Sequence, residues 1–353
     1  MVVASILVPV AVFTAGSGLV LTIFLSAITT VVVPRGVPVR LTSSVFRSIR
    51  RIFRLRERFA HTYQQRDHAL ALFAPLSLIC LPVVWLAFVL IGYTAMFWAL
   101  GTHPVRQAFI TSGSSLLTLG FAAVDDLPST VLAFTEAVLG LILLALVITY
   151  LPSMYAGFSR REALVAMNAI QAGTPPSAVE MLERFHVLAH LDLLEVDVWR
   201  PWTDWFVDVD ETHTSLAGLP FFRSPDHRRS WVTAAGVVLD AAALVSSALD
   251  LPRSPSAELC IRAGYLSLRD IADFYSIPHD PDPHPDDPIG VTREEFDGAC
   301  ARLATAGIAM RPDADQAWRD FAGWRVNYDA VLKGLAALVV TPPAVWLSDR
   351  PVR

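Results

Sequence analysis

Apolar residues are concentrated in three long stretches of the first half of the chain, over about 2–33, 69–100 and 127–151. A helix needs about 20 apolar residues to cross the hydrocarbon core of a bilayer, and each stretch reaches that length. The first stretch lacks the charged start and the small-residue cleavage pattern of a secretory signal, so we expect it to be retained. The pattern therefore predicts three transmembrane helices.

The second half of the chain has the mixed apolar and polar periodicity of helices that face water on one side. This periodicity predicts helices over 162–171, 176–194, 231–249, 257–275 and 293–306. We therefore expect an all-α membrane protein with a mostly α-helical cytoplasmic C-terminal domain. The predicted divisions are an N-terminal transmembrane helix (1–34), a basic amphipathic cytoplasmic linker (35–67), a membrane module (68–158) and the helical domain (159–353).

The linker between the first and second apolar stretches is strongly basic. It contains only two acidic residues, Glu57 and Asp67. Its arginines are Arg35, Arg40, Arg47, Arg50, Arg51, Arg54, Arg56, Arg58 and Arg66. Cytoplasmic loops are enriched in Lys and Arg, so we predict that this linker is cytoplasmic and that the N-terminus lies outside. Arg160 and Arg161 mark the cytoplasmic end of the third helix, which places the C-terminus inside the cell.

Interleaved phenylalanine and isoleucine residues make the linker amphipathic as well as basic. Such a segment lies on the inner leaflet and attracts anionic lipid, with each arginine near the surface contributing about 1 kcal/mol. The same arginines are explained equally well as topology signals. Membrane lipids, and anionic lipid at Arg35–Arg66 in particular, are thus predicted partners.

Composition agrees with a membrane protein and excludes several other classes. The chain is 54% hydrophobic and 17% charged with a mean hydropathy of +0.47, which is too apolar for an ordinary soluble protein. No basic stripe with interleaved aromatic residues suggests nucleic-acid binding. The three cysteines are too few for a disulfide framework. The preference for arginine over lysine and the high Ala and Pro content favour a bacterial source, and hence the plasma (inner) membrane.

The link between the second and third apolar stretches carries the most informative pattern. Pro104 suits the first turn of a helix, and a short helix is predicted from Pro104 to about Leu116. It is too short to span a bilayer and is followed by a non-helical run. Irregular backbone at membrane depth is tolerated only where protein or a water-filled cavity encloses it. We therefore predict a re-entrant loop.

The sequence Thr118-Leu119-Gly120-Phe121-Ala122 at the end of this short helix resembles the selectivity filter of potassium-channel-like pore-loop cation channels. In that family the filter core reads Thr-Val-Gly-Tyr-Gly, and its backbone carbonyls and threonine hydroxyl replace the hydration shell of the ion. The resemblance covers a two-span pore module, to which this chain adds an N-terminal span. It implies that Thr118, Leu119, Gly120, Phe121 and Ala122 coordinate K⁺.

Ala122 departs from the family pattern, because it stands where the last filter glycine is expected. An L-residue adopts the left-handed backbone region only at a cost of about 1 kcal/mol. The filter is therefore degenerate, and we expect weaker selection of K⁺ over Na⁺. Asp125 and Asp126 follow slightly later than the usual acidic residue and are predicted to concentrate cations at the outer mouth.

The resemblance also assigns roles to residues around the filter. Glu136 on the third apolar helix is expected to brace the short helix through a hydroxyl of Thr111, Ser112, Ser114 or Ser115, with Ser115 taken as the supporting residue. Gly140 is a candidate gating hinge, and a packing glycine is the equal alternative. Pro152 either kinks the helix near a cytoplasmic gate or ends it.

These features predict a homotetrameric cation channel, because each chain supplies one pore loop and pores of this family need four. The predicted function is K⁺ conduction, without a cofactor and without a metal other than the permeant ion. The sequence shows neither a nucleophile paired with a base nor a phosphate-binding loop, so nothing in it suggests an enzyme. The alternative is a membrane-anchored regulatory or scaffold protein with a non-conducting pore-like fold.

Overall fold

The computed structural model describes residues 2–33, 40–57, 62–188 and 190–347, and within them the chain is helical and forms no β-strand. Arg35 and Arg58 of the predicted linker lie outside the described residues. The helices of the first half are α1 (Val2–Val31), α2 (Arg40–Glu57), α3 (Tyr63–Ala71), α4 (Phe73–Ala99), α5 (Val105–Leu116) and α6 (Leu127–Ala172).

Three helical segments among the described residues are long and apolar enough to cross a membrane. They are Ile6–Val31, Tyr63–Ala99 and Leu127–Ala172. The prediction of three such helices is confirmed, and the all-helical fold is compatible with a membrane protein. The short helix predicted from Pro104 to Leu116 corresponds to α5, Val105–Leu116.

Contacts divide the chain into two compact units. The first comprises Met1–Arg58 and Leu72–Tyr155, and the second comprises Phe59–Ala71 and Ala156–Arg353. The division falls within α6, and α3 belongs to the second unit although α4 follows it directly.

In the first unit, α1 packs closely on α4 where two glycines meet. A Cβ built on Gly16 would lie 2.6 Å from the carbonyl oxygen of Gly92, so the two backbones approach as only small residues allow. Helix α2 packs on the start of α4 through the edge-on rings of Phe46 and Phe53 against Phe73, at centroid distances of 6.2 and 5.8 Å. The apolar face of the basic linker is thus partly used for packing within the unit.

The third apolar helix does not end at Pro152. Helix α6 continues through this residue to Ala172, so the stretch predicted as a separate helix over 162–171 is its C-terminal part. Proline in a helix interior removes one hydrogen bond. The helix continues because apolar side chains beyond the proline, Met154 and Val165, are buried.

The second unit contains the remaining helices, which are α7 (Ala178–Leu188), α8 (Arg200–Ser215), α9 (Trp231–Ser247), α10 (Pro255–Phe274), α11 (Arg293–Thr305), α12 (Ala314–Arg325) and α13 (Asp329–Val339). The helix predicted over 176–194 ends earlier, at Leu188. Helices α8, α12 and α13 are not part of the sequence prediction, because charged residues interrupt their apolar periodicity.

Helix α9 forms the centre of the second unit. Its residues are apolar on all sides and almost all of them are buried, as expected for a helix surrounded by others. The aromatic cluster Trp199, Trp202, Trp205 and Phe206 is buried in the same core. The indole nitrogen of Trp205 donates a hydrogen bond to the carbonyl oxygen of Arg161 at 3.1 Å.

A buried ionic network ties α9 to α12 and α13. Arg325 is fully buried, forms an ion pair with Asp240 of α9, and donates to Asp329 at 3.1 Å and to the carbonyl oxygen of Trp346 at 2.6 Å. The hydroxyl of Tyr328 donates to Asp240 at 2.9 Å. Burial raises the pKa of Asp240, and the charge of Arg325 opposes this increase.

A second buried cation, Arg161, lies beside a buried histidine. Its guanidinium donates to the carbonyl oxygens of Leu219 and Phe222 at 3.1 and 2.7 Å and lies 3.2 Å from Nε2 of His213. Burial, and then the charge of Arg161, lowers the pKa of His213 well below its ordinary value of 6.5. His213 is therefore neutral in the folded protein.

We expect this histidine to make stability depend on pH. Below about pH 6.5 the unfolded chain binds a proton at His213 that the folded chain does not, so the free energy of unfolding falls as pH falls, by up to about 1.4 kcal/mol per pH unit. Urea unfolding of the detergent-solubilised protein from about pH 8 to about pH 5 measures this slope. His213→Gln should reduce the slope, whereas His284→Gln, at an exposed position, should not. Equal slopes in wild type and His213→Gln would contradict the assignment.

Helix α3 is held in the second unit by Arg223. The guanidinium forms an ion pair with Asp67, donates to the hydroxyl of Tyr63 at 2.6 Å, and donates to the carbonyl oxygens of Val339 and Val340 at 2.7 and 2.8 Å. The C-terminal end of the predicted linker is thus bound to the end of α13.

Candidate functional site

The candidate site is the segment Leu117–Ala122, which follows α5 in the first unit. Helix α4 ends at Ala99, and Gly101 takes a φ of 107° in the turn that follows. This left-handed backbone is accessible to glycine without steric cost. Helix α5 then begins after Pro104, whose extended backbone occupies the N-cap position.

Two residues of the segment adopt left-handed backbone angles. Thr118 has a φ of 53° and Gly120 a φ of 72°. For threonine, which is β-branched, this conformation is unfavourable and persists only where surrounding contacts impose it. Ala122 stands where the filter pattern has its last glycine. It is not among the described residues with positive φ, so the left-handed conformation does not extend to this residue.

Ser114, near the C-terminal end of α5, supplies those contacts. Its carbonyl oxygen accepts from the amides of Leu119 and Gly120 at 2.8 and 3.4 Å, and its hydroxyl accepts from the amide of Ala122 at 3.1 Å. Its side chain is buried. From the sequence, Ser114 was expected only as one of the possible partners of Glu136. The sequence holds no signal for this role, because the burial of Ser114 and its contacts with the later backbone arise only on folding.

The large side chains of the segment point away from the packed interior of the first unit. Leu119 and Phe121 are 60% and 67% exposed, and Leu117 is exposed as well. Thr118 and Gly120 are also exposed. The segment therefore presents both its backbone and an apolar surface on the outside of a single chain.

Glu136 joins α6 to α5 through Ser112. The hydroxyl of Ser112 donates to Oε1 of Glu136 at 2.5 Å, and the carbonyl oxygen of Leu90 in α4 lies 3.2 Å from the same hydroxyl. Both side chains are fully buried. Ser115, which we predicted as the supporting residue, is half-buried, and its carbonyl oxygen instead accepts from the amide of Thr118 at 3.0 Å. Ser112 thus holds the position assigned to Ser115.

We expect Ser112→Ala to destabilise the first unit by about 1–3 kcal/mol, the usual cost of leaving a buried acceptor without a donor. Oε2 of Glu136 already lacks a hydrogen-bond partner among the described residues, so the substitution would leave the whole carboxyl group unpaired. Ser115→Ala on the same helix is the matched control and should have a smaller effect. Unfolding in mixed detergent micelles measures both, and equal losses would contradict the bracing role of Ser112.

The two acidic residues predicted at the outer mouth differ in their surroundings. Both are exposed, but Oδ2 of Asp126 accepts from the amide of Ser129 at 2.9 Å at the start of α6. This backbone hydrogen bond lowers the pKa of Asp126. Asp126 is therefore a capping residue of α6 as well as a surface charge.

Gly140 and Pro152 lie in unbroken helix. Gly140 is buried, and a Cβ built on it would collide with the carbonyl oxygen of Leu116 at the end of α5. This close approach gives Gly140 a packing role beside the candidate filter, which was one of the two alternatives drawn from the sequence. Pro152 is exposed and does not end α6.

The described residues contain no group of three or more His, Cys, Asp or Glu side chains that could hold a metal ion. Comparisons of the chain with known protein families, with curated proteins and with solved structures find no match. The functional assignment therefore rests on the geometry of the Leu117–Ala122 segment and on its position between two span-length helices.

Proposed function

We propose that this chain is one subunit of a homotetrameric cation channel that conducts K⁺ through Thr118–Ala122. In this proposal α5 and the segment after it form a re-entrant loop, and four loops surround the conduction axis. Short helices of this kind place their partial negative C-terminal ends near the axis, which favours a cation there. No cofactor is required, and the permeant ion is the only metal.

One observation carries the proposal: Thr118 and Gly120 are both left-handed in a segment held by Ser114 at the end of a short helix. A β-branched residue in this conformation is uncommon, and such backbone strain is concentrated at functional sites. It occurs at the two positions where the sequence matches the filter pattern in residue type. A hairpin linker between two spans would need neither feature.

The exposed apolar side chains of the segment support the tetramer. Leu119 and Phe121 emerge from irregular backbone, which lipid does not tolerate unless protein or water encloses it. Neighbouring subunits would provide that enclosure, because each would cover the side chains that the next one presents.

The charge distribution supports the proposed orientation in a plasma membrane. The arginines of α2 and the pair Arg160 and Arg161 would lie on the cytoplasmic side, under the positive-inside rule. The N-terminus would then be outside, the loop after α5 would open outward, and the second unit would be cytoplasmic. Exposed Arg47 and Arg51 of α2 would face anionic headgroups.

Ion flux into liposomes tests the proposal directly. Purified protein is reconstituted, and K⁺ and Na⁺ gradients are imposed in separate experiments. We expect flux with both ions, larger for K⁺, with less discrimination than a filter that ends in glycine because Ala122 alters the outermost site. Absence of flux under every gradient would contradict the proposal.

Ala122 also favours one alternative, a membrane-anchored regulatory or scaffold protein whose pore-like fold does not conduct. Its amide is bound to the hydroxyl of Ser114, and its φ lies outside the left-handed region. A scaffold would retain its tetrameric assembly and show no flux, whereas a channel would show both.

A further inference from the structure

The N-terminus of α9 faces a small cavity in the second unit. The cavity is lined by residues of α6, of the turn after it, of the loop that leads into α9 and of the first turn of α9, among them Asn168, Thr174, Arg228, Arg229, Ser230 and Thr233. Its volume is about 10 Å³, which is room for a single oxygen-sized atom. All of these residues belong to the second unit.

Asn168 brings an unused hydrogen-bond donor to this cavity. The side chain is 1% exposed, and its Nδ2 has no hydrogen-bond partner in the part of the chain that the structure describes. Burying an amide nitrogen without an acceptor is unfavourable. Asn168 lines the cavity, so an acceptor atom bound there would satisfy this donor.

Arg229 brings a second unused donor and a positive charge. Its Nε is buried and forms no hydrogen bond within the described chain, and Oδ2 of Asp226 lies 3.7 Å away. Asp226 is already bound on both oxygens by Arg228, at 3.0 and 2.8 Å, which lowers the pKa of that carboxyl. Two guanidinium groups thus share one carboxylate. The other nearby carboxylate, Glu180, which contacts Gly173, is paired with Arg184.

The start of α9 adds a third favourable element. Ser230 is the N-cap residue, and its hydroxyl accepts from the amide of Val232 at 3.3 Å. The first-turn amides of a helix lack partners within their own helix and carry a partial positive charge, so they attract anions. Helix α9 has 17 residues, which is long enough for this effect.

We propose that this cavity is a binding site for a phosphate group, which inserts one oxygen between Nδ2 of Asn168 and Nε of Arg229 at the N-terminus of α9. The remaining oxygens face the side chain of Arg228, which is 60% exposed, and the solvent. The phosphate belongs either to a soluble molecule or to a lipid headgroup.

The site gives the second unit a regulatory role, and this part of the inference rests on the proposed channel function. Asn168 lies on α6, the helix that also carries Glu136 and Gly140. A phosphate bound by Asn168 would contact the C-terminal part of this helix, so we expect occupancy to change ion flux.

Thermal unfolding of the full-length protein in detergent tests the site without requiring conduction. Inorganic phosphate is titrated at constant ionic strength against chloride, and the wild-type Tm is expected to rise and to saturate. Asn168→Leu should weaken the response to phosphate by about tenfold, the usual effect of losing one hydrogen bond to a charged group. Its Tm without phosphate should be unchanged or higher, because leucine removes a buried donor that has no partner.

A matched pair of arginine variants separates the site from general charge effects. Arg229→Gln should weaken the phosphate response, whereas Arg253→Gln, at a position that is 79% exposed and paired with Glu258, should not. An equal phosphate response in wild type and Asn168→Leu would overturn the proposal.

Vesicles identify the source of the phosphate. Protein is reconstituted into phosphatidylcholine with and without phosphatidic acid, and unfolding and ion flux are both measured. A response to inorganic phosphate in detergent assigns a soluble ligand, and a response only to phosphatidic acid assigns a headgroup. If neither probe gave a response, the cavity would hold only a water molecule, and the proposed phosphate site would be overturned. Binding in a protein that conducts no ion would contradict the channel, while leaving the site in place.

Discussion

Gly120→Asp is expected to abolish cation flux while leaving the protein folded and assembled. A Cβ built on Gly120 would have no atom within 4 Å, so the side chain fits without collision. The φ of 72° adds backbone strain of about 1–2 kcal/mol, which most folded proteins tolerate. In the proposed tetramer, however, four carboxylates would enter the conduction path. Ions must bind weakly enough to leave, and such a ring would hold or block them.

The matched control for this experiment is Gly101→Asp. Gly101 also has positive φ, at 107°, and a Cβ built on it would likewise have no atom within 4 Å. The substitution therefore introduces the same side chain, again at a glycine with positive φ, in the link between α4 and α6 but outside Leu117–Ala122. Flux in liposomes should persist in Gly101→Asp and disappear in Gly120→Asp, with equal amounts of tetramer measured by size-exclusion chromatography. Normal flux in Gly120→Asp would show that ions do not pass this segment.

Arg325→Met is expected to cause the largest loss of stability in the second unit, about 3–5 kcal/mol. Methionine fills a similar volume but removes the guanidinium, and Asp240 and Asp329 then remain buried without their cation. Asp329 would keep one positive partner after the substitution, because Nζ of Lys333 lies 2.7 Å from its Oδ2. Asp240 would keep only the hydroxyl of Tyr328. The measurement is urea unfolding followed by tryptophan fluorescence.

Arg253→Met is the control for this loss, because Arg253 is exposed and pairs with Glu258 on the surface of the same unit. Exposed ion pairs contribute about 1 kcal/mol or less, so the expected change is small. If Arg325→Met destabilised the unit no more than Arg253→Met, the buried network would contribute little beyond packing.

Local composition was sufficient to predict the membrane-type helices. A helix that crosses lipid satisfies its backbone hydrogen bonds internally and needs only length and apolar side chains, and both can be read from consecutive residues. The bounds of α5 also agree with the prediction, because its start is set by one local residue, Pro104. The basic character of α2 is equally a property of consecutive residues.

The partner of Glu136 could not be read from the sequence. Four hydroxyl residues of α5 lie within five positions, and the rotation of α5 relative to α6 decides which of them reaches the carboxyl group. In the structure Ser112 bonds to Glu136, and the hydroxyl of Ser114 instead accepts from the backbone of the Leu117–Ala122 segment. Periodicity gives the faces of a helix but not which face meets a particular neighbour.

The sequence alone thus determined the three long apolar helices, the short helix between the last two, and the residues that resemble a filter, because each depends on neighbours along the chain. The folded structure was needed to show that α6 continues through Pro152, that Arg223 binds α3 into the second unit, and that Arg325 pairs with Asp240 from 85 residues away. Buried charges are stable only beside partners that folding brings together, and no local pattern identifies those partners.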